Sequence, residues 1–383
     1  MLLFLTLILE RHAVLFAGSN TWRNYRHQAD VFAMYNILLD GISKEKITLM
    51  AYDDIANSIE NPFPGQLFHT LDHVNVYPGK EAIRYSGKSL SAQDFYKVLM
   101  GLNTDQNDDL LIFYNDHGAP GILSVPETCG LPIFADDFSN VIRLMAVQKK
   151  FKKCFIIIEA CFSGSIGSLI NHPNVITITA AQSFESSYSD IIDYMVGVSL
   201  SNEFSAIIMD LLQTNSEITI GQLFEKTKNR MKRSTPCIYG PAENMNLKVS
   251  SFVGKLRTSN GNSNYQSSPV DESELDLLYH QTIMTSGNET LKAKYLMSKQ
   301  KMEQLSSRLS LAIKLLTDTL EAEYSSQKIP ESESESSYFD VAKEFLTRFG
   351  EFNPNDGYKF ILFKDLCSKY QKANIIKVIQ SIV

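Results

Sequence analysis

Patterns for metal binding and disulfide bonding are missing from this chain of 383 residues. Its five cysteines are scattered, with no CxxC pair and no cysteine–histidine spacing of the kind that binds zinc. An odd, sparse set of cysteines is not a disulfide framework, so at least one thiol is free or pairs between chains. The sequence therefore predicts no metal and no other cofactor.

Positive charge and long apolar runs are also scarce. The net charge is −7 and the isoelectric point is about 5.6, which argues against a nucleic-acid partner, since such proteins need a basic face. No apolar run approaches the ~20 residues that span a bilayer, so no stable membrane span is predicted. Residues 1–10 have two open interpretations. The run Leu2–Leu9 is either a short signal-peptide core, without a basic region before it, or the leading edge of a strand.

Five segments predict buried parallel strands, because they are apolar on both faces rather than alternating. They are His12–Gly18, Lys46–Tyr52, Asp109–Gly118, Cys154–Cys161 and Asn174–Ala181. Helix-like segments lie between them, and this alternation predicts an α/β fold with a mostly parallel sheet flanked by helices. In such sheets, functional groups gather at the carboxyl ends of the strands.

The composition changes at residue 257. The stretch Arg257–Glu274 is rich in Ser, Asn, Gly and charged residues, and we expect it to form a linker without order of its own. Beyond it, leucine and isoleucine recur at helical spacing, at Leu305, Leu309, Ile313, Leu316 and Leu320. The sequence thus predicts an α/β domain over residues 11–256, a linker over 257–288 and an all-helical domain over 289–383.

Two chemically active side chains end neighbouring strands in the sequence. His117, followed by Gly118, ends the third predicted strand, and Cys161 ends the fourth. If these strands are adjacent in the sheet, the two side chains emerge at one edge, as a Cys/His dyad requires. Two alternatives stay open: a half-buried histidine in a turn, and a cysteine that is a small apolar core residue.

Charged groups belong to the same edge. Arg26 and His27 follow the first strand, and the planar guanidinium of Arg26 suits an amide or carboxylate oxygen. Alternatively, Arg26 pairs with Asp30 one helical turn further on. Glu159 ends the fourth strand and would be costly to bury unpaired, so a partner such as Arg26 is expected.

Several segments, in this order, resemble the legumain family of asparaginyl endopeptidases: AGSN, NYRHQAD, YDDIANSIENPFPG, NDHG, EACFSGS and TAAQSFESSYS. The resemblance runs from about Arg11 to Lys255. It implies a cysteine protease with a caspase-like sheet flanked by helices. The helical tail resembles, more loosely, the death-domain-like C-terminal prodomain of that family.

The resemblance also implies roles for individual residues. Cys161 would attack the scissile carbonyl as a thiolate, His117 would transfer the proton, and Asn24 would orient the histidine. The backbone N–H groups of Gly118 and Cys161 would form an oxyanion hole. The pocket for the residue before the cut would be lined by Arg26, His27, Glu159 and Ser186.

The chain departs from the family pattern at two positions of the site. Phe162 follows the cysteine where legumains usually have glutamate. The place of a pocket aspartate falls near Val198, and Asp190 or Asp193 are the alternatives that could replace it. These departures leave the preference between Asn and Asp in the substrate open.

The tail resembles a covering segment that is removed by self-cleavage at mildly acidic pH. The resemblance implies a monomeric zymogen that is inhibited by its own prodomain and cuts protein and peptide substrates through a thioester. Asn288 is the main autocleavage candidate, with Asn260, Asn262 and Asn264 as further ones. Asn288 also begins a glycosylation sequon, and a glycan there would obstruct cleavage.

The same resemblance implies a place in the secretory pathway, either in a lysosome-like or vacuole-like acidic compartment or outside the cell. Two alternatives to the protease remain. A thioester can be captured by an amine, which would make the protein a transpeptidase or peptide ligase. A non-catalytic scaffold of the same fold is the other alternative.

Overall fold

The computed structural model describes residues 10–215, 217–257, 265–324 and 334–382, without the side chains of residues 334–336. The run Leu2–Leu9 and the candidate cleavage sites Asn260, Asn262 and Asn264 lie outside the described residues. The interpretations placed on them therefore stay predictions.

Strands and helices alternate before residue 257, and helices follow. The strands are β1 (Arg11–Ala17), β2 (Ile47–Met50), β3 (Asp109–Asn115), β4 (Gly118–Ala119), β5 (Ile122–Leu123), β6 (Ile133–Phe134), β7 (Lys153–Glu159), β8 (Val175–Thr179), β9 (Ser189–Asp193), β10 (Val198–Asn202) and β11 (Cys237–Tyr239). The helices are α1 (Tyr25–Leu38), α2 (Ala92–Gly101), α3 (Ala135–Val147), α4 (Gly164–Gly167), α5 (Glu203–Thr214), α6 (Ile220–Arg230), α7 (Ser250–Val253), α8 (Glu272–Thr285), α9 (Glu289–Tyr324), α10 (Ser334–Phe349), α11 (Ile361–Lys369) and α12 (Lys372–Ile382).

One six-stranded sheet organises the first part of the chain. Its strand order is β11-β8-β7-β3-β1-β2, and β11 alone among these strands runs antiparallel to its neighbour. Strands β1, β3 and β7 consist almost entirely of buried residues, as expected where both faces of a sheet are covered. The predicted mostly parallel sheet is confirmed, and its five predicted strands are β1, β2, β3, β7 and β8.

Helices pack on both faces of this sheet. On one face α1 and α5 bury Phe32 and Phe204 in a single core with the sheet. On the other face α2 and α3 pack, and α2 begins with a capping box in which Ser91 and Asp94 bond each other's backbone N–H. The helices of the C-terminal region join this second core, so the two parts of the chain share buried surface.

The predicted all-helical tail is confirmed over α9 to α12. Leu309, Ile313, Leu316 and Leu320 are buried along one face of α9, as their spacing predicts. None of the described helices has both the length and the apolar character that crossing a bilayer requires.

The prediction that Arg257–Glu274 lacks order is wrong for its second half. The Tyr265 hydroxyl donates a hydrogen bond to Asp190, and the buried Ser267 hydroxyl donates to Glu203. Helix α8 then begins inside the predicted linker. Polar contacts to distant residues hold this segment, and composition alone does not show such contacts.

Candidate active site

The pairing of β3 with β7 brings the two active side chains to one edge of the sheet. The strands are parallel neighbours, with Asn115 opposite Glu159 at their carboxyl ends. His117 and Cys161 each follow two residues later, and both line one cavity of about 460 Å³. The strands are adjacent, as the predicted Cys/His dyad requires, and the two side chains lie at the same edge of the sheet.

His117 is held by an amide from the segment after β1. Asn24 Oδ1 lies 2.9 Å from His117 Nε2, and Asn24 Nδ2 donates to the carbonyl oxygen of Asn20 at 2.9 Å. Because the amide oxygen only accepts, Nε2 carries the proton and Nδ1 is left with a lone pair. Burial, together with the charge of Arg26, lowers the pKa of His117 to about 4. The imidazole is thus neutral at neutral pH.

Cys161 is held by a serine that sequence reasoning did not single out. The backbone N–H of Ser187 donates to Cys161 Sγ at 3.3 Å, and the Ser187 hydroxyl lies 3.8 Å from the same sulfur. Burial raises the pKa of the thiol, although the Ser187 contacts oppose the rise. Ser186, which precedes Ser187 in the chain and was the predicted pocket residue, is exposed and lines the cavity. The motif ESSYS contained both serines, but nothing in the sequence distinguished them.

Gly118 approaches the backbone of Cys161 so closely that no side chain fits. A Cβ atom on Gly118 would lie 2.3 Å from the carbonyl oxygen of Cys161. Only glycine permits such an approach. The two residues whose N–H groups were predicted to act together are therefore neighbours in space.

Arg26 is 4% exposed and has partners other than those expected. Its Nε donates to Asn202 Oδ1 at 2.9 Å, and its Nη2 lies 3.3 Å from Glu272 Oε2. The expected pair with Glu159 and the alternative pair with Asp30 are both wrong. Asn202 comes from β10 and Glu272 from α8, two elements that the sequence did not predict.

Glu159 is buried beneath the cavity rather than among its lining residues. Its Oε2 accepts hydrogen bonds from the backbone N–H and the hydroxyl of Ser205, each at 3.0 Å. Burial, reinforced by the charge of Asp30, raises the pKa of Glu159 to about 8. The carboxyl group avoids the cost of burying a charge by remaining protonated.

The antiparallel pair of β9 and β10 occupies the segment that was expected to carry a pocket aspartate. Asp190 accepts from Tyr265 and from the backbone N–H of Ser268 at 2.7 Å, while Asp193 closes the turn between β9 and β10. Neither carboxylate lines the cavity, so the interpretation that one of them replaces the family's aspartate is wrong. Val198 is buried in the apolar core.

Phe162, the other departure, has a strained backbone. Its φ is 57°, in the left-handed region that residues with a Cβ rarely adopt. Its N–H donates to the carbonyl oxygen of Glu185 at 2.7 Å, and its ring is buried. Such a conformation costs about 1–3 kcal/mol and persists only where the surroundings hold it.

The C-terminal region covers the cavity from two sides. Helix α8 supplies Glu272, whose carboxylate lies 3.5 Å from Arg23 as well as near Arg26, and Asp276, which lies 2.5 Å from Arg23. From the other side, Asn355 and Tyr358 of the 3₁₀ turn Pro354–Phe360 line the same cavity. Residues of the C-terminal region therefore share the cavity with the nucleophile candidate.

His27 lies beside His117, with the two rings at 4.9 Å and edge to face. Together with Asp116 they form a group whose ligand atoms lie within 4.8 Å of one another, and Glu10, His12 and Asp108 form a second such group. Either set of nitrogen and oxygen donors could hold a metal ion. The absence of a metal cofactor stays a prediction.

Comparison with known proteins identifies the family of the chain. The family model of the Peptidase C13 family matches residues 11–255, so the chain belongs to that family. A hemoglobinase of Schistosoma japonicum is 36% identical over 65% of this chain and 62% of its own length. The vacuolar-processing enzyme delta-isozyme of Arabidopsis thaliana is 35% identical over 69% and 63%, respectively. A legumain of Mus musculus is 35% identical over 63% and 58%.

The chain therefore spans about three fifths of the length of these relatives. Among solved structures, caspase-1 from Spodoptera frugiperda matches with a TM-score of 0.40 at 13% identity, over 61% of this chain and 86% of that chain.

Proposed function

We propose that the protein is a legumain-like cysteine endopeptidase that hydrolyses peptide bonds after Asn or Asp. The observation that carries the proposal is the shared cavity of Cys161 and His117, with the histidine oriented by Asn24 at 2.9 Å. A nucleophile, a proton acceptor and a group that orients the acceptor are the parts that covalent acyl transfer needs.

In the proposed reaction, the Cys161 sulfur forms a bond to the scissile carbonyl carbon while its proton passes to Nδ1 of His117. The N–H groups of Gly118 and Cys161 stabilise the negative oxygen of the tetrahedral intermediate. The C–N bond then breaks, and His117 gives the proton to the leaving amine. Water attacks the resulting thioester, which releases the acid and restores the thiol. Arg26, His27, Ser186 and the underlying Glu159 shape the pocket for the residue before the cut.

We propose further that the chain is a zymogen. Residues 11–256 would be the peptidase domain, 257–288 the activation segment and 289–383 an inhibitory prodomain. The support is that α8 of the activation segment and the turn Pro354–Phe360 of the prodomain both line the cavity, where they would obstruct the approach of a substrate. The high pKa of Cys161 beside a neutral His117 fits a resting thiol in the covered state.

Asn288 remains the candidate for self-cleavage in acid. It lies exposed between α8 and α9, and its Oδ1 accepts from the N–H groups of Thr290 and Leu291 at 3.1 Å each. Cleavage there requires this cap to open. We place the protein in the secretory pathway, in an acidic compartment or outside the cell, because the proposed activation needs acid. The proposed enzyme acts as a monomer.

The test compares wild type with Cys161→Ala at mildly acidic pH, sequences the new chain ends and profiles peptide cleavage. We expect Cys161→Ala to lose all cleavage, while Cys237→Ala, which removes another half-buried thiol, keeps it. An added amine nucleophile distinguishes hydrolysis from peptide ligation by its products. Wild type that neither cleaves peptides nor reacts at Cys161 with an activity probe after acid treatment would identify a non-catalytic scaffold.

A further inference from the structure

A short segment before α8 pairs with the chain beside the candidate nucleophile. Val270 N–H donates to the carbonyl oxygen of Ser189 at 2.9 Å, the Ser189 hydroxyl donates to the carbonyl oxygen of Val270 at 2.9 Å, and the pair is antiparallel. In an antiparallel pair, moving two residues forward on one strand matches two residues back on the other. Continuing this register places Glu272 opposite Ser187, whose N–H bonds Cys161 Sγ.

Val270 and Asp271 therefore lie along the cavity in the way an extended peptide adds to a strand edge, and Glu272, the first residue of α8, follows them into the cavity. The Glu272 carboxylate reaches Arg26 at 3.3 Å and Arg23 at 3.5 Å. Glu272, which lines the same cavity as Cys161, thus presents its carboxylate to two guanidinium groups.

The electrostatics around this carboxylate favour an anion. Burial opposes ionisation of Glu272, but the charges of Arg26 and Arg23 outweigh it and hold its pKa below the ordinary value. The nearby Glu159 is protonated, because its pKa is about 8. Its neutral form adds no repulsion against a second carboxylate.

An amide side chain offers the two guanidinium groups only a neutral oxygen. Its NH₂ group needs an acceptor as well, and the candidates are Asn202 Oδ1, which already accepts from Arg26, and Glu159 Oε1, which is buried without a partner. A carboxylate instead accepts charge-assisted hydrogen bonds from the guanidinium groups.

We propose that this pocket selects an acidic side chain, glutamate foremost, before the scissile bond, and that Val270–Asp271–Glu272 occupies it as a substrate-like strand. The inference rests on the proposed function, which leaves Asn and Asp open, and it names the substrate class. The bond after Glu272 is presented in a helix rather than extended. Asp271 Oδ1 accepts from the N–H of Ser273 at 3.0 Å and of Glu274 at 3.1 Å. The segment therefore occupies the pocket without presenting an extended bond for cleavage.

The first experiment needs no turnover. Full-length wild type, Glu272→Gln, Glu272→Ala and the control Glu274→Gln are treated with a thiol reagent, and labelling of Cys161 is followed by mass spectrometry. We expect Glu272→Gln to be labelled at least about tenfold faster than wild type and close to Glu272→Ala, because the charge-assisted bonds are lost. Glu274 is exposed on the same helical turn, and its variant should match wild type. Labelling of Glu272→Gln at or below the wild-type rate would show that the pocket accepts an amide equally well and overturn the proposal.

The second experiment uses acid-activated protein and matched Val-Asp-X peptides, with Glu, Asp, Gln or Asn at X. We expect kcat/KM to be highest for Glu and at least about tenfold lower for Gln, and Arg26→Met to remove this difference. Faster cleavage after Asn or Gln overturns the inference while the proposed function stands. No cleavage of any peptide by the activated protein contradicts the proposed function, while the relative labelling rates of wild type and Glu272→Gln, which need only a free thiol at Cys161, still decide the chemistry of the pocket.

Discussion

The C-terminal region is attached to the sheet domain by two contacts of different chemistry. At the apolar contact, Tyr338 and Phe339 of α10 pack on the turn between β4 and β5, where a Cβ atom on Gly121 would lie 2.8 Å from the Phe339 ring. At the polar contact over the cavity, α8 and α9 are held by carboxylates and cations. Examples are Asp276 with Arg23 at 2.5 Å and Lys294 with Glu60 at 2.5 Å.

The two contacts respond to different conditions. Burial of apolar surface is insensitive to moderate salt and to pH, whereas partly exposed ion pairs weaken with both. The cavity side of the C-terminal region can therefore open while α10 remains docked. We therefore expect access to Cys161 to depend mainly on the contacts of α8 and α9, and overall stability to depend mainly on α10.

The largest effect on stability is expected at the apolar contact. Phe339→Ala should lower the free energy of unfolding by about 3 kcal/mol, because a buried ring is replaced by a cavity. Phe184→Ala is the matched control, since that ring is 72% exposed and its loss should change stability by less than about 0.5 kcal/mol. Urea titration of both variants measures the difference. Equal stabilities would show that the apolar contact does not anchor the region.

The next effect concerns pH and the sheet domain beneath the cavity. The pKa of Glu159 is about 8 in the folded protein, against an ordinary 4.5, so the folded state retains its proton longer than the unfolded chain. Its contribution to stability is fully present below pH 4.5 and is lost as pH rises through about 8. Glu159→Gln keeps the shape of the protonated group and cannot ionise. It should therefore gain about 2 kcal/mol relative to wild type at pH 6, midway between the two pKa values, and almost nothing at pH 4.5.

Urea titrations of wild type and Glu159→Gln at the two pH values test this expectation. A constant difference between the proteins across the range would mean that Glu159 is ionised in the folded state. The expected result separates the two sides of the cavity: acid favours the sheet side, through Glu159, while it weakens the ion pairs of α8.

The sheet and the Cys/His edge could be predicted from the sequence because their signals are local. Strands β3 and β7 are apolar on both faces, and parallel strands that are neighbours must end at the same edge. His117 and Cys161 follow directly from that geometry. The first strand could be predicted for the same reason, because β1 is also apolar on both faces, and the loop after it begins at the same edge of the sheet.

The partners of Arg26 could not be predicted, because they come from polar segments with weak local signals. Strands β9 and β10 are short and contain Ser and Asp, and β11 has three residues. Glu272 lies 246 positions from Arg26, inside a stretch whose composition indicates a linker. Order there depends on hydrogen bonds with Asp190 and Glu203, which exist only once the sheet domain has folded.

A smaller effect is expected from the cap of α8. Asp271→Ala removes the side chain that accepts from the N–H groups of Ser273 and Glu274, which should destabilise the first turn by about 1 kcal/mol. Asp271→Asn is the control, because asparagine is an equally good cap. Hydrogen exchange should become faster in α8 of the alanine variant and stay unchanged in α10. Faster exchange in both helices would mean that the polar and apolar contacts open together.

The smallest effect on stability is expected at the polar contact itself. Arg23→Met removes the pairs with Asp276 and Glu272, whose partly exposed positions limit their worth to less than about 1 kcal/mol of unfolding free energy. Labelling of Cys161 should nevertheless become several-fold faster. In wild type, raising the salt concentration should have the same effect, because screening weakens these pairs. The control Lys97→Met removes the exposed pair with Asp94 on α2, and it should leave labelling unchanged. A labelling rate of Arg23→Met equal to that of wild type would show that the apolar contact alone keeps the cavity closed.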